Sequence, residues 1–60
     1  MKDIRTFNDK GEKHGYWEIY YFDGKLYYRG LYVNGRREGL WETFYHEGKL
    51  KKIQILDKFI

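Results

Sequence analysis

His14, His46, Glu18 and Glu42 are the residues of this 60-residue chain whose types most invite a catalytic reading. Histidine titrates near neutral pH and serves as acid, base or metal ligand. Paired carboxylates can divide acid and base work between them. Neither arrangement is assembled in the sequence. Each histidine stands alone in its segment, and with no cysteine present there is no ligand set at metal-site spacing. Glu18 and Glu42 lie 24 residues apart at the same place in a repeated unit, so duplication of structure explains their recurrence without chemistry. No G-x-S-x-G, P-loop or H-E-x-x-H occurs. The stretch "GRREG", residues 35–39, offers arginines and glycines to a phosphate but lacks the loop-to-helix setting of a phosphate cradle; it reads as a link between hairpins. The expectation is no catalytic residue, no metal, no cofactor and no enzyme.

What remains is the chemistry of a surface. Aromatic residues make up 22% of the chain, and Arg29, Arg36, Arg37, Lys49, Lys51 and Lys52 lie among them. Aromatic rings with adjacent cations on a sheet can stack bases and neutralise phosphates, so single-stranded nucleic-acid binding is the alternative function. Against it, acidic residues interleave on the same segments, whereas nucleic-acid binders gather positive charge into one track. The net charge of +3 is spread over both halves. The stretch "GKLKKIQILDKFI", residues 48–60, joins lysines to apolar groups as a membrane-surface anchor would, but reads more simply as a terminal strand with a solvated face.

The elements that must carry this surface are written twice. "GYWEIYYFDGKL", residues 15–26, returns as "GLWETFYHEGKL", residues 39–50. Residues 11–34 and 35–58 therefore form two units, preceded by a partial unit over 1–10, all in one domain spanning 1–60. "YWEIYYF" and "LWETFY" have the aromatic and β-branched content of strands. Asp23-Gly24 and Glu47-Gly48 then predict two-residue type I′ hairpin turns, with Glu47 the poorer turn former. That turn length sets a register in which Tyr21 faces Leu26, Ile19 faces Tyr28, Glu18 faces Arg29, and Trp17 lies across Gly30. In the second hairpin it sets Tyr45 against Leu50 and Trp41 against Gln54. Glu18 and Arg29 are expected to form a surface ion pair.

One face of the resulting sheet would carry Trp17, Ile19, Tyr21, Leu26, Tyr28, Tyr32, Trp41, Tyr45, Leu50 and Leu56, the expected core. The other mixes Tyr16, Tyr20, Phe22, Tyr27, Leu31, Val33, Leu40, Phe44, Ile53 and Ile55 with Glu18, Arg29, Glu42 and Lys51, and is too apolar to be left bare. A chain this short buries only about 60% of the surface it exposes when unfolded, and without disulfides or metal it is expected to lean on self-association or a partner. No run approaches the ~20 apolar residues of a membrane span. "MKDIRTFNDKG" is charged where a signal peptide needs an apolar core, so a cytoplasmic protein is expected.

The linking segment "YRGLYVNGRREGLW", residues 28–41, resembles the MORN repeat, whose pattern runs Tyr-x-Gly-x-Trp/Tyr-x-x-Gly-x-x-x-Gly. Tyr28, Gly30, Tyr32, Gly35 and Gly39 fill those places. The "GLWETFYHEGKL" style is most similar to the bacterial, YwqK-like, antitoxin-labelled variant. In the first partial unit Ile4, Thr6 and Asn8 stand where the pattern has Tyr, Gly and an aromatic. At the other end Gln54 replaces a glycine and "LDKFI" opens no further "NG", so both ends read as caps or as edges for pairing. The resemblance implies a row of hairpins serving interaction or scaffolding.

The expected protein is thus all-β: tandem 24-residue hairpin repeats in a single twisted antiparallel sheet of about five strands. Its expected function is non-enzymatic binding of another protein, antitoxin-like inhibition included, or self-association into a homo-oligomer, through an aromatic face and its strand edges. The candidate contact residues are Tyr16, Tyr20, Phe22, Tyr27, Arg29 and Phe44.

Overall fold

A computed structural model of the protein describes residues 2–56. They form one open antiparallel sheet of four strands in chain order: β1 (Gly15–Tyr20), β2 (Leu26–Val33), β3 (Arg36–Phe44) and β4 (Leu50–Leu56). No described segment is helical, and no helix is long and apolar enough to cross a membrane. The end "DKFI", residues 57–60, on which part of the terminal-strand and membrane-anchor readings fell, lies outside the described residues. The expected fifth strand is reduced to two isolated pairings, Ile4 with Glu18 and Phe7 with Lys13. Ile4 and Glu18 exchange both backbone hydrogen bonds. Two residues on, the Thr6 carbonyl accepts from both the His14 amide and the Trp17 indole, and its hydroxyl donates to the His14 carbonyl. The ladder breaks where Thr6 is used this way.

The turns correct the expected register at the hairpin tips. Trp17, Glu18 and Ile19 face Gly30, Arg29 and Tyr28, but Tyr20, not Tyr21, pairs with Leu26. In the second hairpin Trp41 faces Gln54, while Phe44 rather than Tyr45 pairs with Leu50. The turns over Asp23-Gly24 and Glu47-Gly48 are not type I′. The Gly24 amide donates to the Tyr21 carbonyl and the Tyr21 amide to the Lys25 carbonyl, with Gly24 at φ 94°. That is a three-residue loop: a tight turn closed by a left-handed glycine at a bulge. Tyr45, Gly48 and Lys49 repeat the same bonds. Asp23 and Glu47 therefore need no positive φ, and Glu47 is no handicap. The type I′ geometry sits instead in the link, where Val33 pairs with Arg36 around Asn34 (φ 49°) and Gly35 (φ 87°). Asn34 is the one non-glycine residue with positive φ among the described residues.

The core is one-sided. Trp17, Tyr32 and Trp41 are buried, with Ile19, Tyr28 and Leu56 packed against them. Tyr32 stands edge-on between the two indoles, at centroid distances of 5.2 and 4.9 Å. Lys13 lies over Trp17 and Tyr32, and Arg37 over Trp41 and Tyr28, as cationic lids. The expected core members Tyr45 and Leu50 are exposed, because they lie in the hairpin of the outermost strand β4. Tyr21 is also outside the core: past the bulge its ring lies against Tyr27, and its hydroxyl donates to the Phe44 carbonyl.

Gly30 is covered by the indole of Trp41, not that of Trp17. A bulge sets Gly39, Leu40 and Trp41 against the single residue Gly30, since Arg29 pairs with Glu42 and Leu31 with Glu38. The three atoms nearest to any Cβ at Gly30 are all of the Trp41 ring, at less than contact distance. Gly30→Ala should therefore cost about 2–3 kcal/mol by overpacking. Gly24→Asn, at an open left-handed site, should cost under about 1 kcal/mol. Urea unfolding followed by tryptophan fluorescence measures both.

Candidate interaction surface

The Cα trace measures 33 × 28 × 9 Å, a single layer with no second layer on either face. Opposite the tryptophans, strand alternation and register place two cross-strand rows side by side. One row runs Glu18, Arg29, Glu42, Ile53. The neighbouring row holds Tyr16 opposite Leu31, then Leu40 opposite Ile55. An open hollow between the strands is lined by Tyr16, Arg29, Gly30, Leu31, Leu40 and Glu42.

The polar row is satisfied within its own sheet, and not as the sequence suggests. Arg29 Nε donates to Glu42 at 2.6 Å, so the Glu18–Arg29 pair is not the one formed. Glu18 accepts instead from the hydroxyls of Tyr16 and Tyr20, its neighbours two positions away on β1. The residues equally placed around Glu42 are Leu40 and Phe44, which have no hydroxyl to give. One guanidinium between two carboxylates thus goes to the one without other donors. The Tyr16 and Tyr20 hydroxyls hold the Glu18 carboxyl below its ordinary pKa. Glu18 in turn raises Tyr20, while burial and then Glu18 raise Tyr16. The bond to Glu42 raises Arg29.

Of the candidate contact residues, Tyr16 and Tyr20 flank Glu18, and Arg29 lies over the ring of Phe44 at 5.8 Å. Tyr20 and Phe44 are half-buried. Tyr27 lies against Tyr21 at 4.6 Å. Phe22 is apart from the rest, 87% exposed at the first hairpin tip. There its ring stacks on His46, the same position of the next repeat, and His46 pairs with Asp23. The Lys25 amide, and then His46, lower the Asp23 carboxyl. His46 thus couples two tips. His14 is equally structural, since its Nδ1 accepts from the Asn34 amide. Among the described residues no three His, Asp or Glu side chains converge as metal ligands.

Leu31, Leu40, Ile53 and Ile55 are 42, 53, 52 and 74% exposed, more open than Tyr20 or Phe44, yet they are absent from the candidate contact residues. The alternation "KIQIL" was the signal, outshone by the aromatic residues. The arrangement is that of a hairpin-repeat module with one partly apolar face left open. Residues 13–34 and 37–56 each match the MORN repeat variant. These two repeats cover most of the chain, and the protein belongs to the MORN repeat family. MORN repeats are modules of protein or membrane-lipid interaction. No curated protein and no solved structure matches the chain.

Because its folded-state pKa is depressed, Glu18 adds stability above its unfolded pKa, and that stability is lost as pH falls through the folded value. The raised tyrosines act oppositely, adding stability below the unfolded tyrosine pKa that is lost as pH rises through the folded one. Replacing Tyr16 and Tyr20 together by Phe should move the Glu18 carboxyl titration upward. NMR titration of that carboxyl carbon reads the change.

Proposed function

We propose that this chain is a non-enzymatic protein–protein interaction or scaffolding module, and that the face opposite the tryptophans makes the contact. The supporting observation is the row of Leu31, Leu40 and Ile55, with Ile53 beside it, exposed on a face where Arg29 is already bonded to Glu42 and Glu18 to two tyrosine hydroxyls. Apolar area drives association, and pre-paired charges reduce what docking must desolvate. Tyr16 and Arg29 line the hollow beside this patch, while Tyr20, Tyr27 and Phe44 lie beyond the polar row and would extend the contact. Phe22 at the tip offers a separate contact. The edge of β4 is less suited to strand addition, because Lys51 and Lys52 on that strand place charge at the edge. Inhibition of the bound protein, as the antitoxin label of the YwqK-like repeat variant that this chain resembles suggests, would use the same contact. A chain without cysteine suits the reducing cytoplasm.

Nucleic acid fits this face less well. A phosphate approaching Arg29 would meet Glu42 bound to it and Glu18 in the same row. A photo-crosslinking amino acid placed at Leu40, with Lys49 as the control position, separates the readings in living cells. The expected result is adducts with protein, of this chain or another, from position 40 and few from position 49. Nucleic-acid adducts from position 40 would install the alternative, and an absence of any adduct would remove this face from the function.

A further inference from the structure

We infer that the occupant of this face is a second copy of the chain, packed face to face as the other half of a two-sheet sandwich. The inference rests on the interaction role proposed for the face and adds the identity of the partner. Three observations lead to it.

The first is area. The Cα trace spans 33 × 28 Å, an extent on the scale of the ~800 Å² per partner of a standard stable interface. A trace only 9 Å deep is one layer, and sheets stack in pairs about 10 Å apart. A copy of the sheet therefore matches the face in extent and flatness.

The second is chemistry. Leu31, Leu40, Ile53 and Ile55 are aliphatic, the composition of a domain core cut in half rather than of an intermittent contact. In the adjoining row, the Arg29–Glu42 pair and the tyrosine-bound Glu18 carry their hydrogen bonds before anything docks. An identical face can therefore approach without demanding complementary charges.

The third is need. The buried core of the described chain is two tryptophans and one tyrosine, all toward one face. Small domains without disulfides or metal ordinarily complete such a core by association, and a copy of the chain is present wherever the chain is made.

Sedimentation velocity over a thousandfold concentration range tests this. The wild-type chain should show twice its own mass, and Leu40→Glu with Ile55→Glu should weaken the association roughly a hundredfold or more, since each copy then brings unpaired charge into the contact. If that variant does not fold, the milder Ile55→Ser should still raise the dissociation constant. A wild-type thermal midpoint that climbs with concentration supports the dimer without any mutation. A wild-type monomer with a concentration-independent midpoint would overturn the inference, as would a dimer indifferent to both substitutions. Those results leave the interaction role standing if Leu40 crosslinks a different protein. A monomer without protein adducts would sink both.

Discussion

Trp41 lying on the bare backbone of Gly30 joins the two repeats into one sheet. The indole replaces what a side chain at position 30 would supply, and its N–H donates to the Leu31 carbonyl at 3.0 Å, so the largest buried group leaves no orphan donor. Much else follows from that placement. The bulge opposite Gly30 lets β3 bring Trp41 over β2. Tyr28 and Tyr32 lie beside the ring, and Arg37 closes it from above. The first repeat solves the same problem differently. Trp17 donates to the Thr6 carbonyl and meets Phe7 edge-on at 5.4 Å, so the N-terminal segment is held to the sheet by this tryptophan together with the isolated Ile4–Glu18 and Thr6–His14 bonds rather than by a full ladder.

The two repeats are also tied along their ends. At one end the Asn34-Gly35 turn is bonded to the preceding segment: His14 Nδ1 accepts from Asn34, and the Lys13 carbonyl accepts from Gly35. Asn8 reaches the Asn34 side chain. At the other end His46 stacks on Phe22 and pairs with Asp23. Both histidines, the residues that first suggest catalysis, serve as couplers between neighbouring turns.

The order of the strands, the all-β class and the tryptophan face were legible because they depend on type and alternation, which a sequence displays directly. The pairing of Trp17, Glu18 and Ile19 with Gly30, Arg29 and Tyr28 agrees with a two-residue turn only because the three-residue loop and the irregularity between Ile19 and Tyr20 together restore that count. What was not legible depends on counting residues through irregular places. One left-handed glycine per tip adds a bulge, which shifts Tyr21 and Tyr45 off their expected partners. In the N-terminal segment the chain is one residue out of step with the repeat. Phe7, rather than Asn8, takes beside Trp17 the role that Tyr32 takes beside Trp41. The choice of Glu42 over Glu18 by Arg29 was hidden because it depends on hydroxyls two positions along β1, which pairwise facing does not reveal.

That choice also explains how the two repeats divide their labour. Twenty-four residues relate Trp17 to Trp41 and Glu18 to Glu42, positions that the architecture itself requires. The same step turns Tyr16 into Leu40, Tyr20 into Phe44 and Arg29 into Ile53, all on the opposite face. Each change removes a hydroxyl or a charge from the second repeat. The first repeat therefore supplies the donors that satisfy both glutamates, and the second supplies the aliphatic area. With the glutamates kept and their donors concentrated on β1 and β2, the polar groups of the face close upon one another and the Leu40–Ile55 side is left apolar. Duplication built the sheet, and divergence on the face opposite the tryptophans left its second half apolar.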